Sequence, residues 1–405
     1  MSVQDQSGGP GLTFAFEELV SRTGELRETG PVHYDEQRSA WRVLDHPGVS
    51  RVLSDPAAFS SDFSGLTPVQ EDFETFRKGN FVGMDPPDHR KLRTLVTQAF
   101  TPRVVAGLEP RIRAITGELL DEVAGASRID LIDALAYPLP IIVIAELLGV
   151  PAADRPLFTK WARVLFSGDQ LGESADMADI QRALDAIAPT IREMNAYILE
   201  HIREHRARPG DGLTSRLVQA EFNGERLEDQ EIVGFVALLL VAGHITTTAL
   251  VGNAQVCFDR DPLAAAALRA DPAGLPVALE EVLRYLPPFP ELGRRTTAEV
   301  SLGGRTIPAD AIVMADLASA NRDPACFDEP DRFDARRSPN PHLTFGHGIH
   351  FCFGAPLARL EGRVAFEVLF DRYRNLAVAE DDAVEFQNPA VIVSVKRLPL
   401  EVEPA

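Results

Sequence analysis

The chain has 405 residues, 45% of them hydrophobic and 25% charged, with 60 acidic against 40 basic side chains and a net charge of -20. That excess of negative charge repels phosphate backbones and argues against a nucleic-acid partner. The 3 cysteines, Cys257, Cys326 and Cys352, are too few and too far apart for a disulfide framework, and none makes a C-x-x-C pair for structural zinc.

The first twenty residues lack the basic start and apolar core of a secretion signal, so the expected location is the cytoplasm. No repeat or Ser/Gly linker follows, and one large domain over 1–405 is expected, flexible only at its start, over 1–12. "VHYDEQRSAWRVLD" reads as strand. In "DPPDHRKLRTLVTQAFTPR", His89 and Arg93 stand four apart and share a helix face, which on spacing alone is equally a solvated basic face. From Phe100 to Arg284 apolar residues recur at three and four spacing, predicting helices over "ADIQRALDAIAPTIREMNAYILEHIREH" and "PAGLPVALEEVLRYL".

A helix from about Glu228 to Asp259 is apolar nearly all round and therefore buried. Its longest apolar run, Ile232 to Gly243, is 12 residues, short of the ~18 that argue a membrane span. Thr246 there can bond back to the carbonyl of Ala242 and loosen the helix, or simply fill a core. Glu281 and Arg284 meet one turn apart and taken alone would be an ordinary ion pair. Strands are predicted over "AEVSLGGRTIPADAIVMADLASAN" and "EFQNPAVIVSVKRLPLEV". Between them, "FGHGIHFCFG" sets Cys352 among glycines just before the helical "APLARLEGRVAFEVLFDRY". There, backbone N–H groups and the positive end of the helix dipole favour thiolate over thiol. An exposed, stabilised thiolate is suited to be an axial metal ligand.

The pattern Phe345-x-x-Gly348-x-x-x-Cys352-x-Gly354 resembles the heme-binding loop of the cytochrome P450 family, soluble bacterial type. Glu281-Val-Leu-Arg284, "LLLVAGHITTTALVGN" and the His89/Arg93 segment resemble family motifs in the family's order. The resemblance implies a mainly α fold with a small β region and a long central helix crossing the heme. It implies heme b (iron protoporphyrin IX) with the Cys352 thiolate as axial ligand, cradled by Phe345 and Gly354. His89, Arg93, Arg294 and His350 would hold the propionates, with Arg295 as the alternative to Arg294. Glu281 and Arg284 would be a buried structural pair behind the heme. Ala242, Gly243 and Thr246 would shape the oxygen-side groove, Gly243 by its missing bulk. By the same resemblance, the apolar pocket would be lined by Val82, Leu238, Ala242, Ile245, Phe289, Leu292 and Ile392.

One position departs from the family. Its usual acid before the threonine is Ile245 here, so water, Thr246, His244 or a substrate hydroxyl must deliver protons. The implied reaction is hydroxylation or epoxidation of an apolar small molecule, a polyketide or macrolide intermediate by family analogy. In the acidic loop near the pocket, Asp62, Glu71, Asp72 and Glu74 would either attract a cationic group such as an amino sugar or be solvated surface charges. No G-x-G-x-x-G fingerprint marks a flavin or nicotinamide site, so electrons are expected from ferredoxin and ferredoxin reductase. A basic island of Arg90, Lys91, Arg93, Arg103, Arg111 and Arg113, with Arg359 and Arg363 after the cysteine, would dock the acidic donor. The alternatives are a peroxide-driven or otherwise atypical enzyme, favoured by Ile245, and a non-catalytic heme sensor.

Overall fold

The computed structural model describes residues 12–64, 71–165 and 177–405; of the flexible start expected over 1–12, residues 1–11 lie outside them. The central helix runs Asp229–Arg260 and begins on a capping box, in which the Glu231 carboxylate accepts from the Glu228 N–H at 2.8 Å. It stops where Asp261 caps the next helix, accepting from the Ala264 N–H, with Pro262 at that helix's first turn. This is the one helix among the described residues long and apolar enough to cross a membrane, but it lies mostly buried inside the fold.

Helices Pro138–Leu148, Met177–Ala207, Leu275–Tyr285 and Ala355–Arg372 surround it. Helix Glu71–Gly79 crosses it so closely that a Cβ on Gly234 would lie 2.3 Å from the Thr75 carbonyl oxygen. Phe258 of the central helix meets Phe366 edge-on at 5.0 Å. The Asn253 amide, buried in the same helix, donates to the carbonyls of Leu286 and Val393 and ties down two loops.

A five-stranded sheet flanks the helices in the order Val32–Asp35, Ala40–Val43, Ile312–Asp316, Glu291–Thr296, Phe59–Ser60. Tyr373–Val378, Pro399–Pro404 and Arg128–Asp130 form a second sheet. The expected strands near the start, after the long helices and at the end are present. Glu291–Thr296 and Tyr373–Val378 were not foreseen; the latter takes over where helix Ala355–Arg372 stops, at Tyr373.

Glu281 and Arg284 are wholly buried. Arg284 donates to both Glu281 oxygens at 2.7 and 2.8 Å and to the carbonyls of Asn321, Pro330 and Arg332. Glu281 also accepts from Arg337, Asn340 and the Asp334 N–H. Every charge-bearing atom is engaged, so the pair pins the segment leading to the cysteine loop rather than serving chemistry.

Candidate active site

The cysteine loop is shaped by two glycines in the left-handed region, Gly346 at φ 73° and Gly348 at φ 70°. Gly348 is also pressed against the helix His46–Ser54, where a Cβ would lie 2.7 Å from the Ser54 Cα. The loop closes through the Cys352 N–H, which donates to the Phe345 carbonyl at 2.7 Å. Burial pushes the Cys352 thiol up, while the N–H groups of Gly354 and Ala355 and the charges of Arg93 and Arg359 pull it down. Cys352 is half-buried and not the exposed thiolate expected from the helix start, and burial outweighs the backbone donors at its thiol.

Next to the cysteine, four cationic or proton-bearing groups converge. His89 and Arg93 project from helix Asp88–Ala99, and Arg93 donates to the Phe351 carbonyl at 2.6 Å. The rings of His89 and His350 lie 4.4 Å apart. Arg294 is buried on strand Glu291–Thr296, whereas Arg295 pairs with Asp310 at 3.2 Å, which favours Arg294 of the two. Burial depresses the protonation of all four, and His350 falls to about 3 under burial, His89, Arg294 and Arg93.

The nearby carboxylate, Asp85, is occupied by the Ser60 hydroxyl and the Ser61 N–H. His89 Nε2 and Arg93 Nη1 are buried with no protein partner. A cluster of mutually repelling donors with orphaned nitrogens is a site made for anions such as carboxylates.

On the central helix, Thr246 Oγ1 donates to the Ala242 carbonyl at 2.7 Å, as the spacing predicts. Ala242 is exposed, and Leu239, Ile245 and Thr246 are partly so, marking one accessible stripe on a buried helix. Gly243 does not open this stripe. A Cβ there would meet Ile144 Cδ1 at 2.9 Å, so its missing side chain serves the packing of helix Pro138–Leu148 against the opposite side. His244 faces that way too: it is buried, its ring perpendicular to Tyr137 at 4.4 Å, and burial lowers it to about 4. A neutral histidine turned away from the stripe is no proton relay.

Among the expected pocket residues, Val82, Ala242, Ile245, Phe289 and Leu292 keep accessible surface, while Leu238 and Ile392 are buried at 8% and 6% exposure and present little. The segments of Ile392 and Phe289 meet, since the Val393 N–H donates to the Pro288 carbonyl at 2.8 Å, and Phe63 lies 3.4 Å from the Gly293 Cβ position beside Leu292. Residues 65–70 of the acidic loop lie outside the described residues; Glu74 pairs with Arg77, and Asp62 accepts from the Ser64 N–H.

The helices and strands holding these residues match a known architecture. The cytochrome P450 family model matches residues 27–271 and 275–403. The chain belongs to the cytochrome P450 family. It is 43% identical over 388 residues to erythromycin C-12 hydroxylase of Saccharopolyspora erythraea, covering 94% of each chain, and 40% identical to the monooxygenase PikC of Streptomyces venezuelae, covering 98% and 92%. The P450 superposes on ligand-free cytochrome P450 TbtJ1 with a TM-score of 0.88 at 42% identity, covering 98% of this chain and 100% of the other. It is a monooxygenase with heme b bound through a cysteine axial ligand, Cys352. The donor cluster beside Cys352 fits the two propionates of that group.

The basic island needs correction. Arg111 is held by Glu118 and Glu146, Arg113 by Glu367, Lys91 by Glu225, Arg359 by Glu280, and Arg363 by Glu109 and Glu367. These acids arrive mostly from distant segments, which counting along the chain misses. Arg90 and Arg103 have no ion-pair partner among the described residues.

Two acids, one half-buried and one buried, were missed as well. Glu280 binds Arg359 and His342. Glu361, 1% exposed, has no partner at Oε2, and burial raises it to about 8. Its signal was positional: it occupies the apolar stripe of Leu357, Leu360, Val364 and Ala365.

Proposed function

We propose that this P450 hydroxylates or epoxidises a macrolide or related polyketide intermediate, acting as a single cytoplasmic domain with electrons from a ferredoxin and its reductase. The observation that carries the substrate class is the 43% identity, over 94% of both chains, with a protein named erythromycin C-12 hydroxylase. A 41% identical relative from Salinispora arenicola is named cyclomarin C epoxidase, which supports including epoxidation. The accessible apolar surface of Val82, Phe289 and Leu292 suits such a skeleton.

When bound, heme thiolate supplies the dioxygen activation that inserts one oxygen atom into an apolar C–H or C=C bond. The chain's own residues hold that group and the substrate around it. Arg93 and Arg294 would neutralise the propionates and the neutral rings of His89 and His350 would donate N–H groups to them, while Phe345 and Gly354 frame the ligand loop. Thr246, anchored to Ala242, would offer a hydroxyl for proton transfer on the oxygen side, and Ile245 adds no acid beside it. Arg90 and Arg103, exposed and without an ion-pair partner among the described residues, and the exposed Phe351 next to Cys352 are the groups offered to the electron donor.

Reduction under carbon monoxide tests thiolate ligation by its red-shifted absorption. Turnover of macrolide intermediates with ferredoxin and reductase, set against peroxide alone, tests the rest. Product only with peroxide would replace the ferredoxin reading by the second one, a peroxide-driven enzyme, which Ile245 favours. A screen of macrolides that produces no spin-state shift and no product would remove the substrate class.

A further inference from the structure

Behind the cysteine loop lies a charged cluster that the propionate and oxygen sites do not use. Arg359 stands seven residues after Cys352 on helix Ala355–Arg372. Its guanidinium is bidentate with Glu280, Nε to Oε1 at 2.7 Å and Nη2 to Oε2 at 2.8 Å. Its Cζ sits 4.4 Å from the centroid of the Phe345 ring. Phe345 is the residue whose carbonyl receives the Cys352 N–H. Arg359 is therefore clamped between a carboxylate and an aromatic face at the base of the ligand loop.

The clamp is itself oriented. Glu280 Oε2 is 3.1 Å from His342 Nε2, and His342 Nδ1 accepts from the Thr344 N–H. Nδ1 is thereby an acceptor, so Nε2 carries the proton and donates to Glu280. Thr344 is fixed in turn, its hydroxyl donating to the Leu283 carbonyl at 2.7 Å. These partners hold the Glu280 carboxyl at about 2, well below the usual range, despite its burial. Arg359 is the member of the pair seated on the Phe345 ring, and its positive charge favours the Cys352 thiolate.

We propose that Glu280 is a positioning residue for the heme thiolate, fixing Arg359 against Phe345 so that a cation stands at constant distance from the Cys352 sulfur and raises the reduction potential of the iron. This rests on Cys352 ligation and goes beyond it. A held cation stabilises the thiolate and the electron added on reduction. The same guanidinium left free would extend into solvent, since its side chain is 39% exposed, and its field at the sulfur would be screened.

The test is spectroelectrochemical, on the purified heme-loaded enzyme. Arg359→Met removes the cation and is expected to shift the ferric–ferrous equilibrium at least threefold toward ferric, a fall of roughly 30 mV at 59 mV per tenfold for one electron. Glu280→Asp keeps the net charge but shortens the clamp, so a shift in the same direction, smaller in size, reports position alone. Arg359→Lys, which retains charge without the bidentate fork or the ring contact, serves if Arg359→Met does not fold and is expected to fall as Glu280→Asp does. An unchanged potential in Glu280→Asp, or a change there with none in the Arg359 variant, overturns the proposal. The carbon monoxide spectrum of each protein keeps the two questions apart. Red-shifted absorption with unmoved potentials defeats this inference alone, and its absence from the unaltered enzyme defeats Cys352 ligation itself.

Discussion

Replacing Glu361 by Gln should make the enzyme more stable in mild alkali while changing little in mild acid. The carboxyl is 1% exposed, unpartnered at Oε2, and raised by burial from an ordinary 4.5 to about 8. Because the folded state binds this proton more tightly than the unfolded state, stability falls as pH rises from about 4.5 to about 8. Folding is favoured by this group below that window and loses the contribution above it. Integrated between pH 5 and pH 8.5, the loss is about 4 kcal/mol, an upper bound because water entry would relieve part of the burial. Gln has nearly the same shape and never ionises, so urea unfolding across this range should show the two proteins converging in acid and separating in alkali. Infrared difference spectra of the unaltered protein at pH 7 should contain a protonated carboxyl band that the Gln variant lacks. Stability curves that run parallel from pH 5 to 8.5 would refute the reasoning, because they would mean that Glu361 is ionised and solvated or paired throughout.

Arg284→Met should cost about 3–5 kcal/mol of stability, read by urea unfolding, because it leaves the wholly buried Glu281 facing other donors without its bidentate partner. Arg294→Gln should speed heme loss about tenfold or more through a lost charge-assisted bond, measured by transfer to apomyoglobin, whereas Arg295→Gln should leave the rate unchanged. Gly348→Ala should lower heme content and cost at least about 1 kcal/mol for the left-handed backbone alone, with the Ser54 contact adding to it. Ile245→Glu should raise the ratio of product to leaked peroxide severalfold if proton delivery limits the reaction; an unchanged ratio would place the limit elsewhere.

What the sequence made legible was local. The cysteine loop could be read because the left-handed backbone at Gly346 and Gly348 belongs to a motif of ten residues, and the central helix because its apolar run is continuous. Properties set by distant segments were not legible. Arg294 separates from Arg295 only when Val313 and Ile312 pair opposite them and fix which side chain turns inward. Strand Glu291–Thr296, "ELGRRT", has no alternation of its own and is a strand because two neighbours flank it. Gly243 sits in the right motif, yet its bare face is assigned by Ile144, a hundred residues away. The basic island dissolved for the same reason: Glu146, Glu280 and Glu367 reach its arginines from other helices.

The charges that remain divide the site into two unlike halves. On the side of the ligand loop and propionates, positive charge and ring N–H groups would face anions of the bound group: Arg359 beside Phe345, and Arg93, Arg294 and the neutral rings of His89 and His350 at the edge. On the oxygen side, the described stripe of Ala242, Ile245 and Thr246 carries one hydroxyl and no ionisable group, and the one histidine in that motif, His244, is turned to Tyr137. Fixed charge therefore acts on how tightly the cofactor is held and how readily it is reduced, while protons for oxygen chemistry pass a surface that supplies a single hydroxyl. In such a site the ligand's own polar groups and the waters it traps complete the proton path, so coupling of electron use to product depends on which substrate is bound more than in a relative with an acid at position 245.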